Sequence, residues 1–251
     1  PGAMRTGLRG HHVVGICSQA GHFSNQTIAG WLGIGTENLV EIPTDEKLSM
    51  RVDLLEERLD ALYRDKVKVA YICATFGTTD GFGIDDVKGI RECVESKCRE
   101  YGVPIPQIHC DAAVGWAVAM LTDYDRTGNP LKFSDPLLGL VKTVQTQNVG
   151  LRYADSVTID FHKMGRGHYP SSAFIVNRRD DLKYLARSVQ DTPYFSDADA
   201  SRDPALLTLE CSRPAIGPYA VMASLNGIGL SGWQMLIARS LELSARLKER
   251  L

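Results

Sequence analysis

The chain has no C-x-x-C pair among its six cysteines, no apolar run long enough to cross a bilayer, no sustained block of one charge, and no internal repeat or low-complexity tract. Each absence removes a class of function. Without cysteines at metal-ligand spacing a zinc site is not expected, and Cys17, Cys73, Cys93, Cys98, Cys110 and Cys211 read instead as reduced thiols, several of them in apolar strand-like runs. Such thiols fit a reducing compartment. The 28 basic and 30 acidic residues are interspersed and leave a formal net charge of -2, so the electrostatic footprint of a nucleic-acid binder is missing. The basic groups at Arg178-Arg179 and from Arg246 to Arg250 are interrupted by acids or apolar residues and read as solvated helix faces. No stretch has the form of a secretory leader. The glycine-rich runs Gly77-Thr78-Thr79-Asp80-Gly81-Phe82-Gly83 and Gly227-Ile228-Gly229 do not follow the order strand, G-x-G-x-x-G, helix, which argues against a dinucleotide. The expectation is a cytoplasmic protein that binds no metal, no membrane and no nucleic acid.

What is present is enough apolar material for a large core: 44% of 251 residues are hydrophobic. Short apolar runs alternate with amphipathic stretches, the pattern of an α/β layer structure with a mainly parallel sheet. Strands are expected at Val13–Cys17, Leu39–Ile42, Val67–Ala74 and Val103–Asp111, and an antiparallel pair at Val157–Asp160 and Ala173–Asn177. Helices are expected at Ser24–Leu32, ended by Gly33 and Gly35, and at Val52–Tyr63, with Asp53 as its cap. Further helices are expected from Asp85 and Asp86 through Arg99, and over Ser231–Leu251. The segment Asp123–Asn148, with Pro130, Pro136 and weak periodicity, reads as an irregular connection, and Arg187–Leu206 reads as a loop.

Two strand ends carry chemistry. The run Asp155-Ser156-Val157-Thr158-Ile159-Asp160 alternates like a strand and leads into Phe161-His162-Lys163-Met164-Gly165, so Lys163 falls at a sheet edge. The second run ends His109-Cys110-Asp111-Ala112-Ala113, an acid followed by two small residues. An amine and a carboxylate brought together at neighbouring strand ends are what a pyridoxal phosphate site requires: the amine to bond the cofactor's aldehyde, the carboxylate to keep its ring nitrogen protonated.

Four motifs in order, Ser18-Gln19-Ala20-Gly21-His22-Phe23-Ser24, Ala74-Thr75-Phe76-Gly77-Thr78-Thr79, His109-Cys110-Asp111-Ala112-Ala113, and Asp155-Ser156 through His162-Lys163, make the chain resemble the group II pyridoxal phosphate-dependent amino-acid decarboxylases. That family includes the aromatic-amino-acid, glutamate and bacterial tyrosine decarboxylases, and Met164 after the lysine is similar to the tyrosine decarboxylase branch. The resemblance covers residues 11 to 251 and implies the large domain of fold type I, a mostly parallel sheet flanked by helices. It also implies that two parts are absent: a phosphate-binding segment before the His22 motif, and a small domain after the final helix. The implied organisation is a cofactor-binding domain over residues 1–230 and a helix over 231–251 leading toward that small domain.

The resemblance implies roles residue by residue. Lys163 would carry pyridoxal 5'-phosphate and Asp111 would pair with its ring nitrogen. His22 would stack on one ring face, unless it is an ordinary histidine at a helix start, and Ala113 would pack on the other. Ser156 and His162 match positions that reach the phosphate, and Thr79 matches the threonine beside the ring, with Thr78 as the alternative if the register differs by one. Asp160 would be repulsive if it faced phosphate. Tyr194, next to Phe195, falls where family members carry a mobile loop whose tyrosine protonates the substrate's α-carbon, and Arg213 would bind a carboxylate or form a structural salt bridge. The expected reaction is decarboxylation of an L-amino acid to its amine. Other readings on the same scaffold are a carbon-carbon or carbon-sulfur lyase, an aldehyde synthase, or a non-catalytic piece of a larger assembly. The expected partner is a second copy of the chain, or other pieces of the same processed or nicked chain.

Overall fold

The computed structural model describes residues 8, 10–185, 207 and 214–250. Its centre is a six-stranded sheet in the order β2-β1-β3-β4-β5-β6, built from β1 (Val13–Ser18), β2 (Leu39–Ile42), β3 (Lys68–Thr75), β4 (Gln107–Asp111), β5 (Ser156–Asp160) and β6 (Ser172–Val176). All neighbours run parallel except β5 and β6, which pair antiparallel across the lysine turn as expected. Between them lie α1 (Ser24–Trp31), α2 (Val52–Arg64), α3 (Val87–Tyr101), a 3-10 helix (Gly115–Leu121) and α4 (Asp135–Asn148), and the chain closes with α5 (Ile216–Lys248).

Alternation along the strands sorts their side chains onto two faces. Ile16, Ile72 and Ile108 are register neighbours on β1, β3 and β4, and each is wholly buried. They share one apolar cluster with Leu55 and Leu59 of α2, Ile90 and Val94 of α3, and Val141 and Val144 of α4. Burying a side chain of this size is worth about 1.5–3 kcal/mol, so this shared layer holds the helices to the sheet. The opposite face, through Cys73, Thr75, His109, Asp111, Ser156 and Thr158, carries the polar side chains.

Helix boundaries follow local chemistry, with three departures from expectation. Asp86 caps α3, its carboxylate accepting from Gly89 N–H at 3.0 Å, and Gly102, left-handed at φ 63°, ends it. Asp53 is not the cap of α2: Arg51 holds that position, and Asp53 lies within the first turn, where its carboxylate binds the Arg51 guanidinium. The segment expected to be irregular contains the fourteen-residue α4. Pro136 lies in its first turn, where a missing N–H costs nothing, and Leu137, Val141 and Val144 repeat at helical spacing on the buried side. The last helix starts at Ile216 rather than Ser231, with a kink at Gly229 (φ 69°, ψ 165°) inside it.

β1 sits between β2 and β3, so the connection leaving β1 goes to one side and the returning strand lies on the other. The connections that leave the carboxyl ends of β1 and β3 therefore run to opposite sides. In open parallel sheets that divergence makes a crevice at the strand ends, where ligands bind.

Candidate active site

A narrow hollow opens at that place, lined by His22, Thr75, Gly77, Thr78, Thr79, Asp111, Ala113, Val114 and Lys163. Its walls come from the segments that follow β1, β3, β4 and β5. A wider hollow around Asp45, Lys47, Phe82, Asp85, Asp86 and Lys88 also holds amines and carboxylates, but none of His22, Thr79, Asp111 or Lys163.

The β3 wall is fixed by a buried carboxylate. Asp85 accepts from the N–H groups of Thr75 and Met50, both at 2.6 Å, and its own N–H donates to Thr75 O at 2.9 Å. Burial pushes the Asp85 carboxyl up to about 6, against the pull of those two backbone donors. The following turn uses up one of its two threonines: Thr78 Oγ1 accepts from Gly83 N–H at 2.7 Å, while Gly77 and Thr78 N–H both donate to Gly83 O at 2.9 Å. Thr79 has no such duty in the turn, which favours it over Thr78 as the residue that meets a ligand. Two glycines let this turn approach the β4 wall. A Cβ on Gly115 would lie 2.0 Å from Phe76 O, and one on Gly77, at φ 96°, would lie 2.7 Å from Gly115 N.

Asp111 ends β4, with one carboxylate oxygen accepting from Ala113 N–H at 3.0 Å, so it is oriented across the small-residue turn that follows. Lys163 enters from β5. Its Nζ lies 3.3 Å from Asp160 Oδ2, its N–H donates to Asp160 O at 3.1 Å, and its side chain is 30% exposed. The turn is held from three sides: Trp116 Nε1–H donates to Asp160 O at 3.0 Å, Ser172 Oγ–H to Asp160 Oδ1 at 2.5 Å, and Ser224 Oγ–H of α5 to Gly165 O at 3.0 Å. Asp160 thus faces the Lys163 amine and, at 3.5 Å, the His162 ring.

His22 stands at a helix start and also lines the hollow. Its Nδ1 accepts from Ser24 N–H at 3.3 Å and lies 2.9 Å from Ser24 Oγ, as a histidine at a helix start would. With Nδ1 an acceptor, the ring proton sits on Nε2, and the ring lines the hollow. Gly21 makes this approach feasible, since a Cβ there would be 2.9 Å from Ser18 O.

Lys163, Asp111, His22, Ala113 and Thr79 are therefore brought together. Ser156 and His162 do not line the hollow. The Ser156 hydroxyl is 2.9 Å from His109 Nδ1, and Thr158 Oγ1 is 3.1 Å from the other nitrogen of the same ring, whose protonation burial disfavours. His162 accepts from Ser171 N–H at 3.4 Å and packs on Tyr169, ring centroids 3.7 Å apart. Tyr194 and Arg213 lie outside the described residues. Thr75, Val114 and the Asp85 strut were missed by sequence reasoning. The only signal for Thr75 was its place inside the Ala74–Thr79 motif, because its neighbour Asp111 becomes visible only once β3 and β4 are paired. Among the described residues no group of three or more His, Cys, Asp or Glu side chains could hold a metal ion, and no helix is long and apolar enough to cross a membrane.

The family model described as the pyridoxal-dependent decarboxylase conserved domain matches residues 3–251. L-2,4-diaminobutyrate decarboxylase of Acinetobacter baumannii is 31% identical over 170 residues, 68% of this chain and 28% of that protein. L-tyrosine decarboxylase of Enterococcus faecium is 26% identical over 259 residues, 94% of this chain and 40% of that protein. The chain spans less than half the length of these curated relatives. Among solved structures, mouse CSAD in its apo form superposes with a TM-score of 0.75 at 22% identity, covering 99% of this chain and 46% of the other, a likeness of fold.

Proposed function

The chain belongs to the pyridoxal-dependent decarboxylase family, and from that premise we propose that it is the cofactor-binding core of an enzyme that removes carbon dioxide from an L-amino acid and releases the amine. The observation that carries this reading is the meeting of Lys163, Asp111, His22 and Ala113, from three separate segments of the chain, on one hollow. The donor set fits pyridoxal 5'-phosphate: an amine, a carboxylate, an imidazole, a small side chain, and a Thr75 hydroxyl buried without a partner among the described residues.

When bound, the cofactor supplies an electron sink for the pair left on the substrate's α-carbon as carbon dioxide departs. The chain's residues do the rest. Lys163 holds the cofactor through its amine and is kept near the hollow by Asp160. Asp111, oriented by Ala113 N–H, holds a proton at the ring nitrogen. His22 presents its ring and its Nε2–H to the hollow, and Ala113 leaves room that a larger side chain would fill. Thr79 bonds beside the ring. Ser156 and His162, which do not line the hollow, are proposed on family likeness alone to serve the phosphate end. Tyr194 is proposed as the donor that returns a proton to the α-carbon.

We further place the protein in the cytoplasm, a reading supported by the free thiols at Cys17, Cys73, Cys93, Cys98 and Cys110 among the described residues, and expect two copies to associate about a two-fold axis. The relatives named above act on diaminobutyrate and tyrosine, which supports an amino acid as substrate. The test is a screen of the intact protein with pyridoxal 5'-phosphate across the standard amino acids, reading amine and carbon dioxide together. Equal yields of the two from at least one amino acid are expected; cofactor uptake with no carbon dioxide from any would overturn the reaction.

A further inference from the structure

Thr75 is 3% exposed, and its Oγ1 has no hydrogen-bond partner among the described residues. A buried hydroxyl without a partner is costly and uncommon. The position allows little escape, because the residue's N–H and C=O are both taken by Asp85. From above, the His22 segment closes over it: a Cβ on Gly21 would come within 3.4 Å of Thr75 Oγ1. Alongside, Thr75 is the register neighbour of Asp111 on the adjacent parallel strand, and the two side chains leave the sheet on the same face. Both line the hollow. The hydroxyl therefore sits beneath His22 and beside Asp111, desolvated, with the hollow as its remaining open side.

We propose that Thr75 is a further cofactor-positioning residue, whose hydroxyl finds a hydrogen-bond partner only when pyridoxal 5'-phosphate fills the hollow. The inference rests on the cofactor reading given above and deepens it. Its distinguishing consequence is that the hydroxyl opposes stability in the cofactor-free protein and supports binding, so the two properties should move apart when it is removed. A hydroxyl with a purely structural role would move them together.

The test compares Thr75→Val, which keeps the branched shape, with Thr75→Ser, which keeps the hydroxyl, in the intact protein. Affinity for pyridoxal 5'-phosphate is read by absorbance titration, and the melting temperature of the cofactor-free form by calorimetry. Thr75→Val should bind the cofactor roughly three- to tenfold more weakly, with an unchanged or higher melting temperature, and Thr75→Ser should restore the affinity. Equal affinity in wild type and Thr75→Val would overturn the role of Thr75 alone. So would a Thr75→Val protein that melts lower or fails to fold while Thr75→Ser does not restore binding. Wild-type protein that takes up no cofactor would instead overturn the function proposed above, and this inference with it.

Discussion

On one face of the sheet Ile16, Ile72 and Ile108 meet the inner sides of α2, α3 and α4 in one apolar layer. On the other, the same strands present Cys73, Thr75, His109, Asp111, Ser156 and Thr158. One residue along a strand separates the two regimes. Non-directional burial governs the first, where volume and area decide and neighbours can compensate. Directed hydrogen bonds govern the second: His109 joins Ser156 to Thr158, Asp111 takes Ala113 N–H, and Asp160 takes Ser172 and faces Lys163. The apolar face builds the platform, and the polar face spends its side chains at the strand ends. Substitutions on the two faces should therefore separate folding from cofactor chemistry.

The largest separation is expected at Asp111. Asp111→Asn should lower turnover by roughly two to four orders of magnitude, the range typical of a lost proton-handling group, with an unchanged melting temperature and the covalent cofactor bond still formed. Steady-state kinetics beside an absorbance spectrum would show it, and unimpaired turnover would remove Asp111 from the ring nitrogen. The mirror case is Ile72→Ala, three residues before Thr75 on β3 and on the apolar face, which should cost about 2–5 kcal/mol in urea unfolding. Cofactor affinity measured below the transition should hold; an affinity loss without a stability loss would erase the distinction between the faces.

Asp85 joins the two regimes, a carboxylate buried among apolar neighbours to hold Thr75. Because its folded value is raised from 3.8 to about 6, the stability tied to its protonated form is fully present below about pH 3.8 and is lost as pH rises through 6. Relative to Asp85→Asn, which cannot ionise, the wild type should lose on the order of 3 kcal/mol between pH 4 and pH 7. Parallel pH profiles for the two proteins would show that folding does not raise the Asp85 carboxyl above its ordinary value. Smaller again is Gly115→Ala, whose Cβ would press on Phe76 O. A cost of about 1–3 kcal/mol is expected as the backbone shifts, with weaker cofactor binding because the Thr78–Thr79 turn moves with it. Unchanged stability and binding would mean the two turns are not held in contact.

Much of the apolar face was legible in the sequence, since a period of two in the strands and helical spacing in Leu55, Leu59 and Leu62 are local signals. The break came at α4, where Pro136 reads as an interruption until its place in the first turn is known. On the polar face, Lys163, Asp111 and His22 were legible because each belongs to a motif, and their meeting follows from the parallel order of the strands. The partners of Ser156 and Thr75 were not legible. Opposing His109 to Ser156, or Thr75 to Asp111, requires the register between strands joined by long crossovers, and no local pattern carries register.

The central claim is that these strand ends form a pyridoxal phosphate site built on Lys163. The most direct measurement is to treat the intact protein with pyridoxal 5'-phosphate, reduce it with borohydride, and map the modified residue by peptide mass spectrometry. The account predicts one cofactor per chain, attached at Lys163, and none on Lys163→Ala. A stable adduct on another lysine at the same stoichiometry, or no adduct on the wild type, would contradict it.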